Sequence, residues 1–209
     1  MKSFFSLFTD SAKSLKDLRT LTTTGMLLAI AIVIRSLLGI QVTPDLRIVF
    51  TCVPMAIIGM LYGPVVCGCS TLALDIIGFI MDNKSARGYS IELAMVVVLS
   101  GILYGVILYK KEIKPNVKGI IRIALARGSV IVFCNIILNS YFLYSLYVNK
   151  DFSIFTMFEG NMMNSFLTWM TPRIGKNLIQ YPADVVLMTL LLPVANTAYR
   201  NVKRMYNRA

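Results

Sequence analysis

Apolar residues run along this chain in six long blocks with short polar stretches between them. A bilayer core is crossed by about 20 apolar residues in a helix. The blocks therefore predict membrane helices over 21–40, 47–62, 64–82, 90–109, 119–147 and 173–198. Gly63-Pro64 is a breaker pair and predicts a tight turn between the second and third. The only long connection expected is 148–172. Ahead of the first block, Phe4, Phe8, Ala12 and Leu15 recur at helical spacing, with Lys13 and Lys16 off that stripe. This predicts an amphipathic helix lying at the interface. The apolar run after Lys2 is cut by Asp10 and is too short for a secretory signal core. The expected layout is an interfacial helix over 1–19, a six-helix transmembrane domain over 20–200 and a basic tail over 201–209. The expected fold class is an all-α, multi-pass membrane protein.

Composition agrees. Of 209 residues, 56% are hydrophobic and 15% charged, with mean hydropathy +0.70. Soluble domains sit nearer 45–50% apolar and about 25% charged. The net charge of +11 would suggest nucleic acid in a soluble chain. Its distribution says otherwise. Thirteen Lys and Arg, within 2–19, 110–122 and 200–208, fall on one side of the predicted spans. Six fall on the other: Arg47, Lys84, Arg87, Lys150, Arg173 and Lys176. The positive-inside rule then places both termini in the cytoplasm. The charge is a topology signal, and no nucleic-acid partner is expected.

The four cysteines, Cys52, Cys67, Cys69 and Cys134, lie in apolar blocks and read as packing residues. With no His in the chain, no metal or cofactor is expected. Neither a phosphate-binding loop nor a Gly-x-Ser-x-Gly elbow is present, so no enzyme activity and no ATP hydrolysis are expected.

An ionised side chain in hydrocarbon costs about 2.5–3.5 kcal/mol on insertion scales, so charges inside the blocks are candidates for function or for pairing. Arg35 closes the first block, Arg47 opens the second, and Asp75 lies in the outer half of the third. Tyr89 and Glu92 open the fourth. Asn135 and Asn139 are one turn apart on the fifth and should share a face. Arg173, Lys176 and Asn177 begin the sixth on a common face. These groups predict an outward-facing cavity for a polar, anionic organic solute. Arg35, Arg47, Arg173 and Lys176 would meet carboxylates, whose geometry suits a guanidinium fork. Asp75 and the Asn pair would meet amino and carbonyl groups. The competing reading is internal neutralisation, with Arg35 paired to Asp75 and Arg173 snorkelling to water. Arg127 and Asp184 lie nearer mid-helix and are placed to pair with each other as a structural unit.

Small residues recur four apart in Gly25-x-x-x-Ala29, Gly59-x-x-x-Gly63 and Gly101-x-x-x-Gly105. Such spacing admits close helix approach. For the last two, packing within the chain is expected.

Several stretches together resemble a known family. They are Ala29-Ile-Ala31 with Ile34-Arg35, Leu46-Arg47-Ile48-Val49-Phe50, Pro54-x-Ala56-Ile57-x-Gly59-Met60-Leu61-Tyr62-Gly63-Pro64, Leu72 to Gly78 around Asp75, Leu99 to Gly105, Asn135 to Asn139, and Arg173 to Ile179 with Pro182. In order and spacing these are similar to the substrate-binding (S) components of energy-coupling-factor (ECF) vitamin transporters, nearest the folate-specific branch. The resemblance implies six helices in a bacterial cell membrane, folate or a related vitamin as ligand, and no ATPase of its own. It implies a partner transmembrane (T) component and two ATPase subunits, with membrane lipid around them. It implies that Gly25 and Ala29 contact the T component, and that the loops after the first helix and before the fourth close over ligand. Tyr89 and Trp169 would stack on its aromatic faces. The chain departs from that branch at Ser90-Ile91-Glu92, where an aromatic, Pro and Gly are usual, and at Asp184, where an amide is commoner. An S component for another vitamin or nucleobase-like solute therefore stays open, as does a non-transporting scaffold of similar build.

Overall fold

The computed structural model describes residues 2–37, 39–43, 46–81, 88–111, 116–149 and 162–206. Lys84, Arg87, Lys114, Lys150 and Arg208, all counted in the charge distribution, lie outside them. The elements are α1 (Lys2–Ser14), α2 (Leu18–Leu37), β1 (Ile40–Thr43), β2 (Leu46–Ile48), α3 (Cys52–Tyr62), α4 (Pro64–Met81), α5 (Ile91–Leu108), α6 (Val117–Ser129), α7 (Asn139–Tyr147) and α8 (Met162–Tyr206). A π-helical segment, Val130–Leu138, joins α6 to α7 without a break. Among the described residues the fold is all-α apart from the short β1–β2 hairpin, which is antiparallel with Gln41 opposite Arg47.

Among the described residues, five helical stretches are long and apolar enough to cross a membrane: α2, α4, α5, the α6–π–α7 run Val117–Tyr147, and α8. The short N-terminal helix α1 precedes them, and Phe5 lies exposed on it. Three expectations need correction. The second block does not form a helix over 47–62. Residues 46–48 are a strand, and the helix starts at Cys52. Arg47 therefore belongs to the hairpin, not to a helix start. Its β-branched neighbours Ile48 and Val49 suit extended backbone, and Thr51 precedes the helix. The first helix ends at Leu37 rather than at 40. The last helix begins at Met162 rather than at 173 and absorbs Pro172, Pro182 and Pro193. In a membrane, neighbouring helices and local adjustments can satisfy the backbone groups such prolines free.

Helix α3 is short, and apolar on every side. Val53, Met55, Ala56, Ile58, Met60 and Tyr62 are all buried, between α2, α4, α5 and α8. Glycines allow the tightest approaches. A Cβ at Gly105 would sit 2.3 Å from Pro64 Cα, and one at Gly59 would sit 3.0 Å from the Gly105 nitrogen. A Cβ at Gly101 would lie 2.9 Å from the Cys67 carbonyl oxygen. The Gly59/Gly63 and Gly101/Gly105 pairs thus serve packing inside the chain, as expected. Leu21, Met26, Ile30 and Val33 of α2, and Leu178, Val186 and Leu190 of α8, stay exposed. In water this would be a large apolar patch. In a bilayer the medium is as apolar as they are.

The predicted Gly63-Pro64 turn is present, with Gly63 at φ 90°. Ser11 of α1 is fully buried against it. Its Oγ donates to the Tyr62 carbonyl at 2.7 Å and accepts from the N–H groups of Val65 and Val66 at 3.0 and 3.3 Å. One hydroxyl so caps the first turn of α4, whose N–H groups have no intrahelical acceptor. An Asp10–Lys110 ion pair holds the same helix to the end of α5. The hydrogen bond from Lys110 and its charge hold the Asp10 carboxyl below its ordinary range. That contribution exists above the unfolded carboxylate pKa and is lost as pH falls through the lower folded value. It is exposed and screened by salt.

Two substitutions test this framework. Ser11→Ala leaves buried N–H groups without an acceptor and should cost about 1–3 kcal/mol. Gly105→Ala forces α5 away from the Gly63-Pro64 turn and should cost about as much. Thermal unfolding in detergent should show both midpoints clearly lowered, whereas Asp10→Asn should move it little.

Candidate functional site

A cavity of about 210 Å³ opens between α3, α4, α5, the α6–π–α7 run and α8. Its polar lining comes from Thr51, Thr71, Ser100, Tyr104, Arg127, Asn135, Lys176 and Gln180. Its apolar lining includes Val49, Cys52, Met55, Leu74, Val97 and Val130. It reaches the chain just after the β1–β2 hairpin, at Val49 and Thr51. Gln180 is buried and donates through Nε2 to the Val49 carbonyl at 2.9 Å. That bond fastens the chain after the hairpin to α8.

At one side of the cavity sits a buried polar knot. Arg127 of α6 donates through Nε and Nη2 to Asp184 Oδ2 of α8, at 2.9 and 2.6 Å. Its Nη1 donates to the Tyr104 hydroxyl of α5 at 2.9 Å. The Cys52 thiol of α3 donates to Asp184 Oδ1 at 3.3 Å. Asp184 is 0% exposed and Arg127 6%. The pairing expected from sequence is present, and its charges cancel inside the bundle.

A second polar chain runs along α8. The Arg173 guanidinium lies over the Trp169 ring, 4.2 Å from its centroid. Asn177 Nδ2 donates to the Arg173 carbonyl at 2.9 Å, and Asn177 Oδ1 accepts from Asn135 Nδ2 at 3.4 Å. Trp169 packs edge-on against Tyr144. Lys176, one turn from Arg173, reaches the cavity. Among the described residues it has no carboxylate at ion-pair distance.

Arg35 of α2, Asp75 of α4 and Tyr89, just before α5, form a separate group. The Arg35 guanidinium lies on the bare backbone of Gly78, where a Cβ would be 2.3 Å from Cζ, and Nη1 donates to the Leu74 carbonyl at 3.5 Å. The Tyr89 ring packs edge-on to Phe79. Burial, then the Asp75 carboxylate that accepts its hydrogen bond, push the Tyr89 phenol above its usual pKa. It therefore stays a protonated donor at physiological pH.

The structure thus brings together Asn135, Trp169, Arg173, Lys176 and Asn177, and separately Arg35, Asp75 and Tyr89. Asn139 does not line the cavity. Between Asn135 and Asn139 the backbone winds in π fashion, with the Asn139 N–H bonded to the Cys134 carbonyl. The side chain of Arg47 lies outside the described residues. Gly25 and Ala29 are exposed on α2, and nothing lies within 4 Å of a Cβ built at Gly25. Sequence reasoning passed over Thr51, Thr71, Ser100, Tyr104 and Gln180 and set Arg127 aside. Only Arg127 carried a usable signal, an ionised group in an apolar block.

Residues 19–192 match the family described as the ECF transporter substrate-specific component. The chain belongs to that family. It is a family of membrane-embedded transport components, not of enzymes, and this S component is a multi-pass membrane protein. Membership sets aside the scaffold reading. The folate transporter FolT of Leuconostoc mesenteroides is 29% identical over 177 residues, covering 84% of this chain and 85% of the relative. FolT of Clostridium novyi is 28% identical over 129 residues, covering 62% and 70%. A crystal structure of FolT bound with folic acid superimposes with TM-score 0.66 at 29% identity, covering 83% of this chain and 92% of that one.

The buried knot in this S component gives a stability prediction. Removing one member of a buried pair leaves an uncompensated charge and costs about 3–5 kcal/mol, whereas replacing both with apolar groups is far milder. Arg127→Leu alone should lower the thermal midpoint sharply, and Arg127→Leu with Asp184→Leu should recover much of the loss. Unfolding monitored by size-exclusion chromatography after heating reads both.

Proposed function

We propose that this chain is the folate-binding S component of an ECF-type importer in the bacterial cell membrane. In this reading both termini are cytoplasmic and six segments cross the bilayer. At 11 residues α3 is about 16 Å long, short of a core of roughly 30 Å. The strand residues 46–48 shortly before it add about 3.3 Å each, which supplies part of the missing length. A T component and two ATPase subunits provide the energy. The exposed Gly25/Ala29 face of α2 suits close docking of the T component.

The observation that carries the reading is Lys176 in a cavity lined besides by amides, hydroxyls, apolar groups and an Arg127 already paired to Asp184, in a chain whose relatives are named folate transporters. Folate has a glutamate tail with two carboxylates and a pterin ring with amino and carbonyl edges. Lys176 and Arg173 suit the tail, and Asp75, Asn135 and Asn177 suit the ring. Trp169 and Tyr89 offer aromatic faces. The departure at Asp184 does not argue for another ligand, since Arg127 cancels its charge. The departure at Ser90 keeps a second vitamin as the alternative ligand. Ser90 shares a 2.7 Å hydrogen bond with Tyr147, a contact that shapes the entrance to α5 differently from a Pro-Gly turn.

Purified protein should bind radiolabelled folate at one site per chain. Lys176→Ala should weaken binding about tenfold or more, the usual result of removing a buried charge partner. Tight binding of a different vitamin with none of folate would overturn the ligand and leave the family standing.

A further inference from the structure

A guanidinium has five N–H donors, and a phenol hydroxyl both donates and accepts. In the buried knot Arg127 uses three donors, two on Asp184 and one on Tyr104. One N–H remains on each of Nη1 and Nη2, and no described residue accepts either. Tyr104 accepts from Arg127, so its own O–H is left to donate, again with no acceptor among the described residues. Both side chains line the cavity. Both are nearly fully buried, Arg127 at 6% and Tyr104 at 3% exposed. This wall of the cavity therefore offers donors only.

We propose that Arg127, with Tyr104 beside it, binds ligand directly by donating to a neutral acceptor edge, the ring carbonyl and ring nitrogens of a heterocycle. This rests on the reading of the cavity as a folate site. The charge arrangement selects a neutral edge over a carboxylate. Asp184 lies 2.6 Å from Nη2, so an anion arriving at Arg127 meets a carboxylate that has already cancelled the charge. The anionic end of the ligand is drawn instead to Lys176. The Cys52 thiol occupies the other oxygen of Asp184, which holds the carboxylate and hence the guanidinium plane in place. Asp184 and Cys52 are positioning residues, and Arg127 and Tyr104 touch the ligand.

The test compares two probes, folate and the analogue carrying an amino group where folate has its ring carbonyl. The analogue sets a donor against donors. Wild-type protein should prefer folate by about tenfold or more, the scale of one hydrogen bond to a charged group. The double variant Arg127→Gln with Asp184→Asn removes both charges together, so neither is stranded. It should bind folate at least about tenfold more weakly and lose the preference. If that variant does not fold, Arg127→Lys keeps a cation on Asp184 and should show the same two losses. A folded variant that keeps both wild-type affinity and preference overturns the assignment, because a purely structural knot has no reason to affect discrimination. So does a wild-type protein that binds both probes equally. Wild-type protein that binds neither probe overturns the folate reading itself.

Discussion

The buried ion pair between Arg127 and Asp184 is the constraint around which the bundle is organised. Asp184 is fully enclosed. An isolated carboxylate there would be intolerable, and so would an isolated guanidinium. Each is accepted because the other is within 2.6 Å, with Tyr104 and Cys52 taking further hydrogen-bonding positions. The knot gathers side chains from α3, α5, α6 and α8. It fixes how these four helices face each other, and so the shape of the space between them. Apolar packing alone is poorly suited to that task in a bilayer, where lipid competes on equal terms with every Leu and Val.

Charge is divided between two places in consequence. Around the knot it is cancelled, and the surfaces left over are hydrogen-bond donors. Lys176 has no described carboxylate at ion-pair distance and, in the proposed reading, draws an anion. Nearby, Arg173 spreads over Trp169, a cation on an aromatic face that is worth more when water is excluded. A hollow with a neutral donor wall and a cationic wall suits a solute that is heterocyclic at one end and acidic at the other.

The contacts among α3, α4 and α5 are built for closeness. Gly59, Gly63, Gly101 and Gly105 remove side chains where α3, α4 and α5 meet, and Ser11 fills the remaining polar need of the turn. The N-terminal helix is thereby part of the bundle. Its amphipathic pattern had suggested only a helix resting on the membrane surface.

What the sequence by itself determined is the set of apolar segments and the residues that could not be there for packing. Span length and the cost of charge in hydrocarbon are properties of single segments, so the long blocks, the Gly63-Pro64 break and the special status of Arg127, Asp184, Arg173 and Lys176 were legible. Tertiary structure alone decided which of these meet. The hairpin at Arg47 depends on pairing with Gln41, and the extension of α8 back to Met162 depends on packing of Phe166 and Trp169 against Tyr144. Of Asn135 and Asn139, only Asn135 reaches the cavity. Thr51, Ser100, Tyr104 and Gln180 become cavity residues only because helices distant in sequence turn those faces toward one another, and uncharged polar residues carry no penalty large enough to mark them in advance.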